Sequence, residues 1–89
     1  MAERQATIAS SSGLHARPAK LFVQAVQATK IPVTIAVEGG NDLNAGSILS
    51  IMGLGASQGT VVTLKADGDG AEQALDELVA FLETDHDAA

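Results

Sequence analysis

The chain has no cysteine, tryptophan or tyrosine, and its only aromatic residues are Phe22 and Phe81. Without thiols it can form neither disulfides nor thiolate metal sites, a composition in keeping with the cytoplasm. With so few aromatics, any core must be assembled from Val, Ile, Leu and Ala. Cations are scarce too: five Lys and Arg stand against eleven Asp and Glu, for a net charge of −6. That balance argues against a nucleic-acid partner, because phosphate backbones are held by clusters of cations. No apolar run approaches the ~20 residues that a membrane span requires. Residues 1–5 do not begin a secretion signal, which would join a basic region to an apolar stretch. The expectation is a soluble, cytoplasmic monomer with no membrane partner, no cofactor and no metal.

The charges that are present divide unevenly. Residues 1–65 hold all five bases and three acids, Glu3, Glu38 and Asp42, whereas residues 66–89 hold eight acids and no base. An acidic surface therefore belongs to the C-terminal segment. A chain of 89 residues supports one hydrophobic core. We expect a single domain over 1–89, ordered from about 3 to 83, with an acidic tail at 84–89 that frays.

Ala6 and Ile8 alternate with Thr7 and Ala9 in a short strand, and Ser10-Ser11-Ser12-Gly13 is loop composition. Pro18 suits the first turn of a helix in which Leu21, Phe22, Ala25, Val26 and Thr29 share one face and Lys20, Gln24 and Gln27 the other. Ile31, Val33, Ile35 and Val37 alternate with Pro32, Thr34, Ala36 and Glu38, the pattern of a strand covered on one side. Gly39-Gly40-Asn41-Asp42 reverses the chain into a short return strand at Leu43. Ser47 caps a short helix over 48–52 that Gly53 and Gly55 end. Residues 60–66 form a strand with Val62, Leu64 and Ala66 on one face. Asp69 and Glu72 then make a capping pattern ahead of a helix carrying Ala71, Ala74, Leu75, Leu78, Val79 and Leu82. The order β-α-β-β-α-β-α, with one apolar stripe per helix and alternating strands, predicts an α+β open-faced sandwich with the helices on one face of an antiparallel sheet.

Chemistry concentrates in Gly13-Leu14-His15-Ala16-Arg17-Pro18-Ala19, where the first loop becomes the first helix. The free N–H groups and positive dipole end of a helix start stabilise an anion. Arg17 adds a permanent cation with a fork of donors suited to phosphate, and Pro18 fixes φ where a missing N–H costs nothing. The same positive surroundings favour neutral imidazole over imidazolium, and neutral imidazole is the nucleophile. Position alone leaves two readings open for His15, a surface or capping histidine and a phosphoryl acceptor. His86, in an acidic tail, reads as inert, and two distant histidines without cysteine match no familiar metal spacing. The short second helix carries more apolar residues than one face can bury. With Ile51 facing the core, Ile48, Leu49 and Met52 are left near the surface beside the basic rim of the first helix. Ala16, Arg17, Lys20, Gln24, Ile48, Leu49 and Met52 are therefore the expected partner-docking surface.

The segment from Gly13 to Ala19 resembles the active-site signature of the HPr family, histidine-containing phosphocarriers of the phosphoenolpyruvate-dependent sugar phosphotransferase system. Asn44-Ala45-Gly46-Ser47-Ile48-Leu49, Leu54-Gly55 and Gln58-Gly59-Thr60 resemble the family's second-helix region in matching register, so the likeness runs from residue 6 to about 83. It implies a four-stranded antiparallel sheet with three helices on one face. It also implies that His15 accepts the phosphoryl group through Nδ1 and that Arg17 binds the phosphate. Enzyme I would be the donor and sugar-specific enzyme IIA proteins the acceptors, making the chain a carrier rather than a stand-alone catalyst. Ser47 matches a position that some members use for regulatory phosphorylation by a serine kinase, whereas Gly46 stands where relatives often carry a larger residue, commonly Lys. Alternatives are an HPr-like carrier in a nitrogen-related phosphorelay and an interaction module that transfers nothing; modules of that kind have lost the histidine that this chain keeps. A hydrolase is disfavoured, because His15 has no plausible triad with a nucleophilic serine and a carboxylate.

Overall fold

A computed structural model describes residues 2–9, 13 and 16–84, with only the backbone of Ala16. The strand β4 (Val61–Ala66) organises the sheet, since it is paired on both sides. It runs antiparallel to β1 (Ala2–Thr7), from Ala2 opposite Ala66 to Thr7 opposite Val61. On its other side it runs antiparallel to β2 (Val33–Val37), from Val33 opposite Ala66 to Val37 opposite Val62. The two-residue β3 (Leu43–Asn44) closes a hairpin with β2, so the sheet order is β1-β4-β2-β3. In the hairpin, Gly39 takes a φ of +77° and the Gly40 N–H donates to the Val37 carbonyl at 2.9 Å, as the short reversal requires.

Period-two alternation puts Ala6, Ile8, Val33, Ile35, Val62, Leu64 and Ala66 on one side of the sheet, all of them buried in one core cluster. The helices α1 (Ala16–Thr29), α2 (Ile48–Gly53) and α3 (Ala71–Leu82) cover that side. They contribute Ala19, Phe22, Val23 and Val26, then Ile51, then Ala71, Leu75, Leu78 and Leu82 to the same cluster. Glu3, Gln5, Thr7 and Val61, on the opposite side, are exposed. The two aromatic rings meet, Phe22 of α1 and Phe81 of α3 lying 5.9 Å apart between centroids at a tilt of 44°. No helix among the described residues is long and apolar enough to cross a membrane.

Besides β2, which begins at Val33 rather than Ile31, and α1, which buries Ala19, Phe22, Val23 and Val26 while Leu21, Ala25 and Thr29 are only half-buried, two elements differ from the sequence reading. The first strand begins at Ala2 rather than Ala6, because pairing along the whole of β4 overrides the polarity of Glu3, Arg4 and Gln5. Arg4 is tolerated there because its Nε donates to Asp76 Oδ1 at 3.0 Å and Nη1 to the Glu3 carbonyl at 2.8 Å. The second difference is at the start of α3, where the cap is Gly70 with a φ of +81° and no side-chain hydrogen bond, so the Asp69–Glu72 capping pattern is not formed. The chain leaves β4 through Gly68 and Gly70, both in the left-handed region, and this turn leaves Asp69 one residue ahead of the capping position. Glu72 still lies in the first turn, where a carboxylate complements the dipole. Of the tail expected to fray at 84–89, Thr84 is instead tied to α3, its N–H donating to the Phe81 carbonyl at 3.2 Å and its Oγ1 to the Ala80 carbonyl at 2.8 Å, and residues 85–89 lie outside the described residues.

α1 ends in a strained turn. Lys30 has a φ of +59°, and it is flanked by Thr29, whose Oγ1 donates to the Val26 carbonyl at 2.7 Å and accepts the Ile31 N–H at 3.2 Å. A side chain in the left-handed region costs ~1–2 kcal/mol, of which glycine's greater unfolded-state entropy would return part. Lys30→Gly is therefore expected to raise the thermal midpoint by about 2–6 °C, a shift of ~4–8 °C per kcal/mol applying to a domain of this size. A lower midpoint in a calorimetric scan would show that the turn carries no such strain.

Candidate functional site

α1 opens at Ala16, with Arg17 exposed in its first turn and Pro18 buried behind it. Pro18 is accommodated because a first-turn N–H has no intrahelical acceptor. No acidic residue stands in this first turn, so a guanidinium lies at the positive end of the helix dipole with no carboxylate to offset it. A cation in that position costs ~0.3–1 kcal/mol. Local conflict of this kind is characteristic of sites built to hold an anion. Two of the other bases are paired, Arg4 with Asp76 at 3.0 Å and Glu72 at 3.9 Å and Lys65 with Asp42 at 3.5 Å, whereas Lys30, just past the end of α1, enters no ion pair among the described residues. Arg17 and Lys20 enter no ion pair among the described residues. His15, which directly precedes this helix in the chain, and His86 both lie outside the described residues.

α2 packs against α1. Its approach is held by the Gln27 side chain, whose Nε2 donates to the Gly46 carbonyl at 3.1 Å, and by Asn44 Oδ1, which accepts the Gly46 N–H at 2.9 Å. A β-carbon on Gly46 would lie 3.3 Å from Asn44 Oδ1, so a larger residue there must displace that side chain slightly. Ser47 is the N-cap, its Oγ accepting the Ser50 N–H at a long 3.5 Å. Of the apolar residues of α2, Ile51 is fully buried, while Ile48, Leu49 and Met52 are 38%, 81% and 47% exposed. Lys20 and Gln24 are exposed on α1. Two sequence-distant segments thus form one helical layer with cationic and apolar residues facing solvent.

Hollows in the described surface occur elsewhere. One of about 260 Å³ is lined by Ala2, Asp67, Gly68, Ala71 and Glu72, and another of about 280 Å³ includes Thr29, Asp69 and Glu77. Thr29 is the far end of α1 from Arg17, ~20 Å away at the helical rise. These hollows are acidic and smaller than ordinary small-molecule sites, and the second is remote from Arg17.

Residues 2–84 match the family model described as the PTS HPr component phosphorylation site. The chain belongs to the HPr family of phosphocarrier proteins. It is 50% identical to the phosphocarrier protein HPr of Streptomyces coelicolor over 82 residues, covering 92% of this chain and 88% of that protein. The crystal structure of HPr from Thermoanaerobacter tengcongensis superposes with a TM-score of 0.86 at 43% identity, covering 93% of this chain and 92% of that one. The HPr-like Crh of Bacillus subtilis, seen as a domain-swapped dimer, superposes with a TM-score of 0.73 at 36% identity over 96% of this chain and 97% of that one. Proteins of the HPr family are phosphocarriers rather than stand-alone catalysts.

One contact of this HPr-family chain was invisible in the sequence. Gly13 is buried with a φ of +71°, and a β-carbon there would collide with the Ala56 carbonyl oxygen and come within 2.8 Å of Ser57 Cα. Its place beside His15 suggested only a turn glycine, because nothing local reports which distant backbone lies against it. At Ser47 the long cap bond is expected to contribute about 0.5 kcal/mol. Ser47→Ala should therefore lower the thermal midpoint by about 2–4 °C. Ser47→Asp, an equally good cap, should leave it within a few degrees, and equal losses for both variants would refute the capping role.

Proposed function

We propose that this chain accepts a phosphoryl group from phosphorylated enzyme I on Nδ1 of His15 and donates it to enzyme IIA proteins in phosphoenolpyruvate-dependent sugar uptake in the cytoplasm. The observation that carries this reading is the start of α1, where the exposed Arg17 adjoins a dipole end without any acid in the first turn. The residue immediately before that helix is His15. In the forward step, Nδ1 of His15 attacks phosphorus as the bond from phosphorus to the donor breaks, and the proton that His15 gives up from its other nitrogen replaces the phosphoryl group on the donor. The new phosphohistidine is a dianion, and the guanidinium of Arg17 together with the helix-start N–H groups offset its charge. The chain keeps His15, which a non-transferring interaction module does not need.

Partner docking is assigned to Ala16, Arg17, Lys20, Gln24, Ile48, Leu49 and Met52. A basic rim around exposed apolar residues suits brief association with acidic, hydrophobic clefts, since charge speeds encounter and apolar contact gives modest affinity. Ser47 is a candidate regulatory site for a serine kinase. A phosphate there brings nearly two negative charges to a helix start that tolerates them, next to Ile48 and Leu49, which would have to be desolvated against it on docking.

Incubation with labelled phosphoenolpyruvate and enzyme I tests the central assignment. His15→Ala should abolish labelling and His86→Ala leave it intact; labelled His15→Ala protein would end this reading. Arg17→Ala should accept phosphate more slowly or form a less stable product, since it lacks a charge-assisted contact worth ~1.5–3 kcal/mol. Ser47→Asp should slow transfer from enzyme I while keeping the fold, and a rate matching the unmodified chain at every partner concentration would leave Ser47 a cap only.

A further inference from the structure

Residues 56–60 form a turn ahead of β4 that reaches across to the segment leading into His15. Thr60 shapes this turn: its N–H donates to the Ser57 carbonyl at 3.0 Å and its Oγ1 accepts the Ser57 N–H at 3.2 Å. The turn grips the beginning of the segment. Ile8 N–H donates to the Thr60 carbonyl at 2.9 Å, Gly59 N–H donates to the Ile8 carbonyl at 2.8 Å, and Gln58 Nε2 donates to the Ala9 carbonyl at 3.1 Å. It also abuts the end of the segment, where Gly13 lies so close to Ala56 and Ser57 that no β-carbon fits. Ala56 itself is 1% exposed, anchored in the core, and cannot retreat cheaply. From Gly13 only two residues of chain remain before α1, whose Ala19 and Phe22 are fully buried.

We propose that Gly13, set against the core-anchored 56–60 turn, and Gln58, which holds the Ala9 carbonyl, are positioning residues for phosphoryl transfer at His15. This rests on the carrier reading above. Neither residue touches the phosphoryl group; each acts through the loop. Transfer to His15 needs the donor atom, phosphorus and the acceptor nitrogen in line, and a misplacement of ~1 Å can cost ~100-fold in rate. Displacing Gly13 should consequently lower the maximal transfer rate and leave docking, which uses α1 and α2, nearly unchanged.

The experiment measures transfer from phosphorylated enzyme I by rapid quench across concentrations of this chain, alongside thermal midpoints. Gly13→Ala should lower the maximal rate about tenfold or more with little change in the half-saturating concentration. Gln58→Ala, at an exposed position, should lower it by about two- to fivefold, the effect of one neutral hydrogen bond, without a marked change in midpoint. Gly39→Ala is the control for backbone strain: its φ of +77° is close to the +71° of Gly13, but nothing lies within 4 Å of the added carbon. It should lower the midpoint and leave the rate alone. If Gly13→Ala does not fold, Gln58→Ala decides. Wild-type acceptance with undiminished maximal rates in the folded variants overturns the positioning role alone. A loss confined to the half-saturating concentration overturns it also. Failure of the wild-type chain to take phosphate removes the carrier reading, and this inference with it.

Discussion

The structure depends on β4 being paired along both edges. Val62, Leu64 and Ala66 supply the centre of the buried face, and their neighbours on β1 and β2 are brought into register by the backbone hydrogen bonds of that one strand. A slip of one residue would turn every inward side chain outward, so burial and register enforce each other. Because α1 and α3 lie on this face and join through Phe22 and Phe81, the position of the helix starts follows from the same register. The turn that leads into β4 holds Ile8, Ala9 and Gly13, so one strand and its approach tie the core to the loop ahead of α1.

Charge is distributed so that the cations of α1 stay free. Arg4 and Lys65 are occupied by Asp76, Glu72 and Asp42, at the edge and on the face of the sheet. Exposed β1 backbone groups are covered in the same way: Arg4 donates to the Glu3 carbonyl, Glu83 accepts the Thr7 N–H at 3.4 Å, and the Leu82 carbonyl accepts the Ala9 N–H at 3.0 Å. Such covering blunts an edge strand against unwanted pairing. Two acidic residues of α3, Glu72 and Asp76, thus have a structural use in pairing with Arg4, and Asp42 pairs with Lys65. The proposed phosphohistidine would benefit, because carboxylates near it would oppose its charge.

The family and the order of elements could be read from residue patterns, since each rests on local physics. Val33 to Val37 and Val62 to Ala66 alternate because a sheet face is buried. The apolar positions of α1 and α3 recur at helical spacing, and the Gly13 to Ala19 segment carries its chemistry in adjacent residues. Ser47 was recognisable as a cap, and Ile51 as the inward residue of α2, on similar grounds. The start of β1 was not readable this way. Glu3-Arg4-Gln5 looks like surface chain until the free edge of β4 is there to bind it. Gly70 likewise displaced Asp69 as the cap of α3 because the path from β4 needed left-handed turns, a demand set at the far end of the connection.

Taken alone, the sequence determined an α+β sandwich, the inward faces of β2 and β4 and the apolar stripe of α3, because periodicity belongs to the residues themselves. Tertiary structure decided which cations are left unpaired, which apolar residues of α2 face solvent, and why residue 13 has no β-carbon. Those properties depend on contacts between residues distant in the chain, as when Ala56 lies against Gly13 or Asp76 reaches Arg4, and no local pattern encodes a neighbour that only folding supplies.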